Sequence, residues 1–375
     1  MRVCYFGTYR AAYTRNKIMI EGLRRNGVEV AECHEALWHG IEDRVQAASG
    51  GWAHPQFWWR VLRTYVHLLW EYFHIPDYDV MVLGYPCQMD VFLARVLTWL
   101  KRRPLVGDAF MSIYLVAVER ELVKNHRLTG QLIYRIEKLA LRLLDRIIVM
   151  SDDYITWFQD TYGFSTDRFR LVLTGADERV YHPVAVDPDP AYFTVMFYGT
   201  FIYTHGVLTI IEAARQLQDY TDIRFVLIGS GPLKERAVNL VAQHALNNVE
   251  FVSWIEPHEL PARVAAADIC LGTFGVTPQA QITIQNKIYE ALAMAKPLLT
   301  GDGLTVRRYL THGEHVYFCK MDDPQSLAEA ILHLRAAPAL RQQLATEGHK
   351  LFVSQFSIEK LGYRFKQHLM EMVSA

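Results

Sequence analysis

In the second half of the chain, the stretch NKIYEALAMAKP (residues 286–297) puts an amide, an ammonium and a carboxylate into one helical turn: Asn286, Lys287 and Glu290. The rest of the run reads as a small-residue core helix, where burial makes a carboxylate costly. Asn286 is a good N-cap, and Pro297 stops the helix because the residue before a proline is disfavoured in helical geometry. Residues 286 and 290 are one turn apart and share a side. The unpaired N–H groups of a first turn form an anion site. A carboxylate one turn further in would repel a phosphate, but it can accept two hydrogen bonds from vicinal hydroxyls, and a ribose attached to a diphosphate offers both features. Pairing of Glu290 with Lys287, or compensation of the helix dipole, explains the same residues. Spacing alone leaves both readings open.

Two glycine loops point to the same chemistry. In FYGTFIYTHGVLTIIEAARQL (residues 197–217) a strand ends at Gly199, Thr200 and a short loop follow, and Gly206 opens an amphipathic helix. Such a loop cradles a second face of a phosphate, and His205 is its one potentially cationic side chain. In VLIGSGPLKERA (residues 226–237), Gly229 and Gly231 follow a strand and Pro232 suits a first helical turn. Lys234 stands where a dinucleotide fingerprint needs its third glycine, which argues against a nicotinamide enzyme. Asp108, at the end of the run PLVGD, is placed to orient or deprotonate an acceptor hydroxyl, or else to cap the next helix. The DPD at 187–189 has a metal-binding look but lies among prolines, so it reads as solvated and no metal site is assigned.

The elements that must position these residues follow a regular pattern. Short runs rich in valine and isoleucine alternate with longer helix-period segments, as in parallel sheets covered by helices on both faces. The first half supplies VCYFG, VEVAECH, DVMVLGY, PLVGDAF, RIIVMS and RLVLTG; the second supplies TVMFYGT, RFVLIGS, VEFVSW, DICLGTF, PLLTGD and VYFCKM. The segment HPVAVDPDPAY (residues 182–192) holds three of the chain's 14 prolines and reads as a linker. The expected fold class is α/β, two tandem Rossmann-like doubly wound domains. Residues 1–183 form the first, 184–192 the linker and 193–355 the second, and a C-terminal helix (356–375) crosses back to the first domain. Ligands of such sheets sit at the carboxyl ends of the strands, which makes the cleft between the domains the default site.

Bulk composition excludes several classes. With 375 residues, 51% hydrophobic, 21% charged and a formal net charge of −1, the chain has room for two cores and no charge excess suited to nucleic acid. Five scattered cysteines without metal spacing read as buried thiols of a cytoplasmic protein. The opening MRVCYFGTYR lacks a signal-peptide core, and no apolar run is long enough to span a bilayer. A membrane face is still indicated. In FWWRVLRTYVHLLWEYFHI (residues 57–75) Arg60, Arg63, His67, Glu71 and His74 form one narrow stripe, and the remaining arc is largely apolar, with three tryptophans. That arc is wider than a helix packed on a sheet needs and suits an interfacial helix, with KRRP (101–104) as a basic neighbour. A helix buried on two sides or a dimer face fits the same pattern.

Taken in order, GxGP, FVSW, AADICLGTF and NKIYEALAMAKP resemble the second domain of group 1 glycosyltransferases of the GT-B fold, and LTGADERVYHP (173–183) resembles the segment that closes the first domain in that family. The match is good over residues 171–310. The resemblance implies that Glu290 binds the nucleotide ribose, that Gly231 and Pro232 lie along the nucleotide, and that the backbone at Trp254 and Ile255 meets the base. It implies that Gly7 and Thr8 approach the diphosphate from the first domain. It further implies a metal-independent, retaining enzyme without a cofactor. The substrate is a nucleoside-diphosphate sugar, UDP- or GDP-linked, and the acceptor a glycan or polyprenyl-linked saccharide, met as a peripheral protein on the inner face of the cell membrane. The sequence departs from the family at two places. Thr200 and His205 stand where basic residues are usual, and Ile282, flanked by Gln281 and Gln285, stands where many members carry a second glutamate. The diphosphate charge must then be met by backbone N–H groups, His205, Lys287, or a first-domain cation such as Arg10 or Arg15. A sugar-nucleotide epimerase of the same fold and a non-catalytic binder are the rival readings.

Overall fold

The computed structural model describes residues 1–37, 54–120, 127–186, 189–253, 255–256 and 258–373. The chain divides into two compact units, Met1–Thr174 together with Ile358–Ala375, and Gly175–Ser357. The boundary falls ahead of the proline-rich segment, so residues 175–183 belong to the second unit. There Tyr181 lies close enough to Glu290 for the carboxylate to act on its hydroxyl.

Each unit is built on a six-stranded parallel sheet. The first contains β1 (Arg2–Gly7), β2 (Glu29–His34), β3 (Val80–Leu83), β4 (Leu105–Phe110), β5 (Arg146–Val149) and β6 (Phe169–Leu171), in the order β2-β1-β3-β4-β5-β6. The second contains β7 (Phe193–Tyr198), β8 (Ile223–Ile228), β9 (Val249–Val252), β10 (Ile269–Leu271), β11 (Leu298–Gly301) and β12 (Tyr317–Cys319), in the order β12-β11-β10-β7-β8-β9. Every strand run marked in the sequence is a strand here. The cause is burial on both faces: β3, β4 and β7 are buried along their whole length, so they read as unbroken apolar runs. The five cysteines are buried and unpaired.

In the second unit the strand order reverses between β7 and β10, which are hydrogen-bonded neighbours in register Ile269 to Val195. That makes the ends of β7 and β10 the topological switch point, where an open α/β sheet presents a crevice. The core beneath it is formed by Val195, Phe197, Ile210, Phe225, Leu227, Leu271, Leu299 and Ile331.

Four helices bear on function. Those of the first unit are α1 (Thr14–Arg25), α2 (Pro55–Tyr72) and α3 (Val91–Lys101); α4 (Asn286–Ala293) lies in the second. The C-terminal helix Ile358–Val373 packs on α1 within the first unit. Their backbones meet at Gly22 and Gly362, where a β-carbon on Gly362 would fall 2.1 Å from the Gly22 carbonyl. Only glycine permits that approach. Asn26 Nδ2 then donates to the Glu359 carbonyl at 2.9 Å, and Lys366 Nζ to the Asn26 carbonyl at 2.8 Å.

Helix α2 buries only the line Thr64, Leu68 and Tyr72, while Trp58, Trp59, Leu62, Val66 and Trp70 are exposed. Trp99 and Leu100 at the end of α3 are more exposed still, at 79% each. Among the described residues no helix is long and apolar enough to cross a membrane.

Candidate active site

The switch point of the second sheet gathers the sequence-marked residues. Helix α4 begins at Asn286, but the residue in the cap position is Gln285, with extended backbone (φ −73°, ψ 150°) and no side-chain cap bond. Asn286 is therefore the first helical residue and not the N-cap. The Gln285 side chain faces the sheet instead: Thr273 Oγ1, just past β10, donates to Gln285 Oε1 at 2.9 Å. Its Nε2 is buried without a hydrogen-bond partner. The helix ends at Ala293, and the chain turns through Ala295 in the left-handed region (φ 51°) before Pro297.

One residue further in, Lys287 is only 5% exposed. Its ammonium lies 4.9 Å over the Phe197 ring and 3.2 Å from the place where a β-carbon on Gly199 would stand. Gly199 has φ 140°, a backbone that favours glycine, and the His205 ring edge is 3.6 Å from the same point. His205 Nδ1 is 2.6 Å from the Thr200 carbonyl, which fixes the ring across the loop. Gly199, Thr200, His205 and Lys287 are thus neighbours.

Glu290, one turn along, is 7% exposed. The Tyr198 hydroxyl, at the end of β7, donates to the Lys287 carbonyl at 3.4 Å and lies close enough to Glu290 to act on its carboxyl. Burial pushes Glu290 up to about 7, against the pull of Tyr198 and Lys287. Burial likewise pushes Lys287 down to about 7, against the attraction of Glu290. The two therefore influence one another but form no ion pair among the described residues, and the reading in which Glu290 serves only to pair with Lys287 does not hold.

The GSGP loop packs directly on this group. Phe201 N–H donates to the Ser230 carbonyl at 2.9 Å, and Leu233 N–H to the Phe201 carbonyl at 3.0 Å. A β-carbon on Gly231 (φ 150°) would lie 2.8 Å from Phe201 N, so this glycine serves the contact between the two loops. Pro232 is exposed in the turn ahead of the helix Lys234–Gln243 rather than inside it. Lys234 is drawn aside, 4.1 Å over Phe251 and 5.0 Å over Phe201. Ile255 is half-buried in the segment after β9, and Trp254 lies outside the described residues.

The first unit differs from expectation at two points. Asp108 is not at a strand end: β4 runs on to Phe110, and Asp108 is fully buried within it. It accepts from Arg15 Nε at 2.8 Å and Arg15 Nη2 at 3.2 Å, and Arg15 is equally buried. The remaining Arg15 nitrogen donates to the Val172 and Leu173 carbonyls at 2.8 and 2.6 Å. Neither residue is available for an acceptor hydroxyl or a phosphate. The Gly7–Thr8 loop already holds a carboxylate: Asp90 Oδ2 accepts from Thr8 N–H at 2.7 Å, and Thr8 Oγ1 donates to Oδ1 at 2.9 Å. Burial raises Asp90 to about 6. An anion at this turn would meet a carboxyl group where the resemblance placed an open amide.

Among the described residues one group has metal-like spacing, Glu35, His67 and Glu71, in the first unit. His67 Nδ1 already faces Glu35 at 2.9 Å. Sequence reading missed Tyr198 and Tyr181; the only available signal for Tyr198 was its place before Gly199 at the strand end.

Two parallel six-stranded sheets with helices, the second in Rossmann order with its polar cluster at the switch point, define a GT-B fold. Solved structures of this fold align along the whole chain. These include Anabaena Alr3699/HepE in complex with UDP-glucose (TM-score 0.67, 15% identity, 99% of this chain and 100% of that one). Another is sucrose-phosphate synthase (tll1590) from Thermosynechococcus elongatus (TM-score 0.71, 17% identity, 100% and 99%). Residues 192–336, within the second unit, match the family described as Glycosyl transferases group 1. The lipopolysaccharide core biosynthesis glycosyltransferase LpsE of Rhizobium meliloti (strain 1021) is 26% identical over 176 residues, 47% of this chain and 49% of that protein. Alpha-D-kanosaminyltransferase of Streptomyces kanamyceticus is 25% identical over 170 residues, 45% and 43%. The match thus spans about half the length of these curated relatives.

Proposed function

We propose that the chain is a metal-independent glycosyltransferase that moves a hexosyl group from a UDP- or GDP-linked sugar to a glycan or lipid-linked saccharide, with retention at the anomeric carbon. The observation that carries the reading is Glu290. It is a buried carboxyl at the switch point, one turn inside a helix whose first N–H groups are an anion site. It lies beside Tyr198 and, among the described residues, has no ion pair. A carboxylate so placed accepts from the two hydroxyls of a ribose, and the helix head receives the diphosphate. In transfer, the bond from the anomeric carbon to the diphosphate oxygen breaks with its electron pair on the phosphate. The acceptor oxygen bonds to that carbon, and its proton passes to the departing diphosphate. The protein contributes positioning and stabilisation of the leaving charge. HepE, whose structure is solved with UDP-glucose, supports the choice of donor class.

The acceptor side rests on the first unit. The exposed tryptophans of α2, with Trp99, Leu100 and the cations Arg63, Lys101 and Arg102 nearby in sequence, suit peripheral contact with an anionic membrane surface, where a lipid-linked acceptor resides.

Calorimetric titration with UDP, GDP, ADP and NAD tests the reading. One nucleoside diphosphate binds, and Glu290→Ala weakens it by about 1–3 kcal/mol through loss of the ribose bonds. Unchanged affinity in the variant rejects the role of Glu290. A second reading, a binder that holds the sugar nucleotide without transferring it, is favoured by Ile282 and Thr200. Slow release of free sugar from the donor argues against it.

A further inference from the structure

Given the donor reading above, on which this step rests, a diphosphate at the head of α4 needs positive charge, and the loop that usually carries it has Thr200 and His205. Of the alternatives, Arg15 is spent on Asp108 and two carbonyls, and Lys234 is held over two aromatic rings. Lys287 is different. It is 95% shielded by the chain's own atoms, its ammonium stands at the bare face of Gly199, and among the described residues it has no hydrogen-bond or ion-pair partner. Beside it the Gln285 Nε2 donor is buried and unpartnered as well. An ammonium that no acceptor holds and a buried donor without a partner, at the first turn of a helix on the switch point, are the complement of an oxygen-rich anion.

We propose that Lys287 supplies the charge that holds the donor diphosphate, and that it takes up a proton as the donor enters. An ammonium without a partner in a buried site gives up its proton readily, and an arriving anion reverses that balance. In keeping with this, burial pushes Lys287 down to about 7 before any ligand is present. The groups that face it are Glu290 on its own helix, His205 on the turn after β7, and, through Glu290, Tyr198, Tyr181 and Cys270. Glu290, raised to about 7, works in the opposite sense, because it must release its proton to accept from the ribose. Donor affinity is therefore greatest near pH 7. It falls on the alkaline side as Lys287 loses its proton and on the acid side as Glu290 gains one.

The test is calorimetry of UDP and GDP on the full chain at pH 8.5, in buffers of different ionisation enthalpy, which counts protons taken up per nucleotide. The wild type takes up close to one, and its affinity falls roughly tenfold per pH unit above neutrality. Lys287→Met binds at least about tenfold more weakly at pH 7 and takes up none. Lys287→Arg, whose charge is fixed, binds without uptake and with affinity level above neutrality. Binding by the wild type with no uptake, or uptake that survives in Lys287→Met and vanishes in His205→Ala, overturns the inference and leaves the donor reading standing. Failure of the wild type to bind either nucleotide overturns both.

Discussion

Each unit buries a cation and a carboxylate, and the two pairs are opposites. Arg15 and Asp108 are fully buried, bonded twice to one another, and the guanidinium's spare donors are taken by the Val172 and Leu173 carbonyls. Lys287 and Glu290 are almost as deep, three residues apart on one helix, and form no ion pair with each other among the described residues. Burying ions is costly in both places. In the first unit the cost is offset inside the chain, and the result is a joint between α1, β4 and the end of β6. In the second it is left open, so both groups are pushed towards their neutral forms. The comparison teaches where to look for function: at buried charge whose partner the chain does not supply.

The largest effect that sharpens this contrast is on stability. Asp108→Asn leaves Arg15 buried without a countercharge and costs about 3–5 kcal/mol, read as a fall in the urea midpoint. Arg15→Met with Asp108→Leu recovers most of that loss, since both desolvated charges go together. A variant of Asp108 with wild-type stability and no transfer would return that residue to the acceptor hydroxyl and dissolve the contrast.

The second effect has the opposite sign. Lys287→Met removes a desolvated ammonium and leaves the protein between equally stable and about 2 kcal/mol more stable at low pH. Lys287 drops from 10.5 to about 7 on folding, so its contribution to stability is present above 10.5 and lost as pH falls through 7. The advantage of Lys287→Met is thus fullest below pH 7 and gone near 10.5. Glu290 rises from 4.5 to about 7, so its contribution is present below 4.5 and lost as pH rises through 7. Glu290→Gln gains nothing below 4.5 and its full advantage above 7. Mirror-image profiles of the two variants by thermal unfolding confirm two unmatched charges. Two flat profiles would mean an ordinary ion pair.

How far the sequence reaches follows the same division. The inner strands such as β3, β4 and β7 were legible because a parallel strand buried on both faces must be apolar throughout, the half-exposed edge strands β2 and β9 because they are still rich in valine, and Lys287 and Glu290 because a helix places them by spacing alone. What escaped depends on partners remote in the chain. Nothing near Asp108 announces Arg15, 93 residues away, nor does Thr8 announce Asp90, 82 away. The cap of α4 moved from Asn286 to Gln285 because Thr273, just past β10, takes hold of the glutamine side chain. Tyr198 escaped because a tyrosine at a strand end looks like core until the helix above it is in place.

The smallest effect on stability tests the rule on apolar surface. Trp58 and Trp59 are 53% and 71% exposed, so much of their apolar area faces outward. Replacing both by serine changes folding stability by no more than about 0.5 kcal/mol each, because little buried contact is lost. Association with vesicles of anionic lipid should nevertheless fall several-fold in a co-sedimentation assay. Binding of the unaltered chain should also weaken as salt is raised, because the contribution of Arg63, Lys101 and Arg102 is screened. The two dependences separate the sources of affinity: the tryptophan variant keeps the salt response and loses the apolar part. Equal co-sedimentation of the variant and the parent would show that these rings meet no membrane, and exposed apolar area in this unit would then cease to count as a demand that the chain leaves unmet.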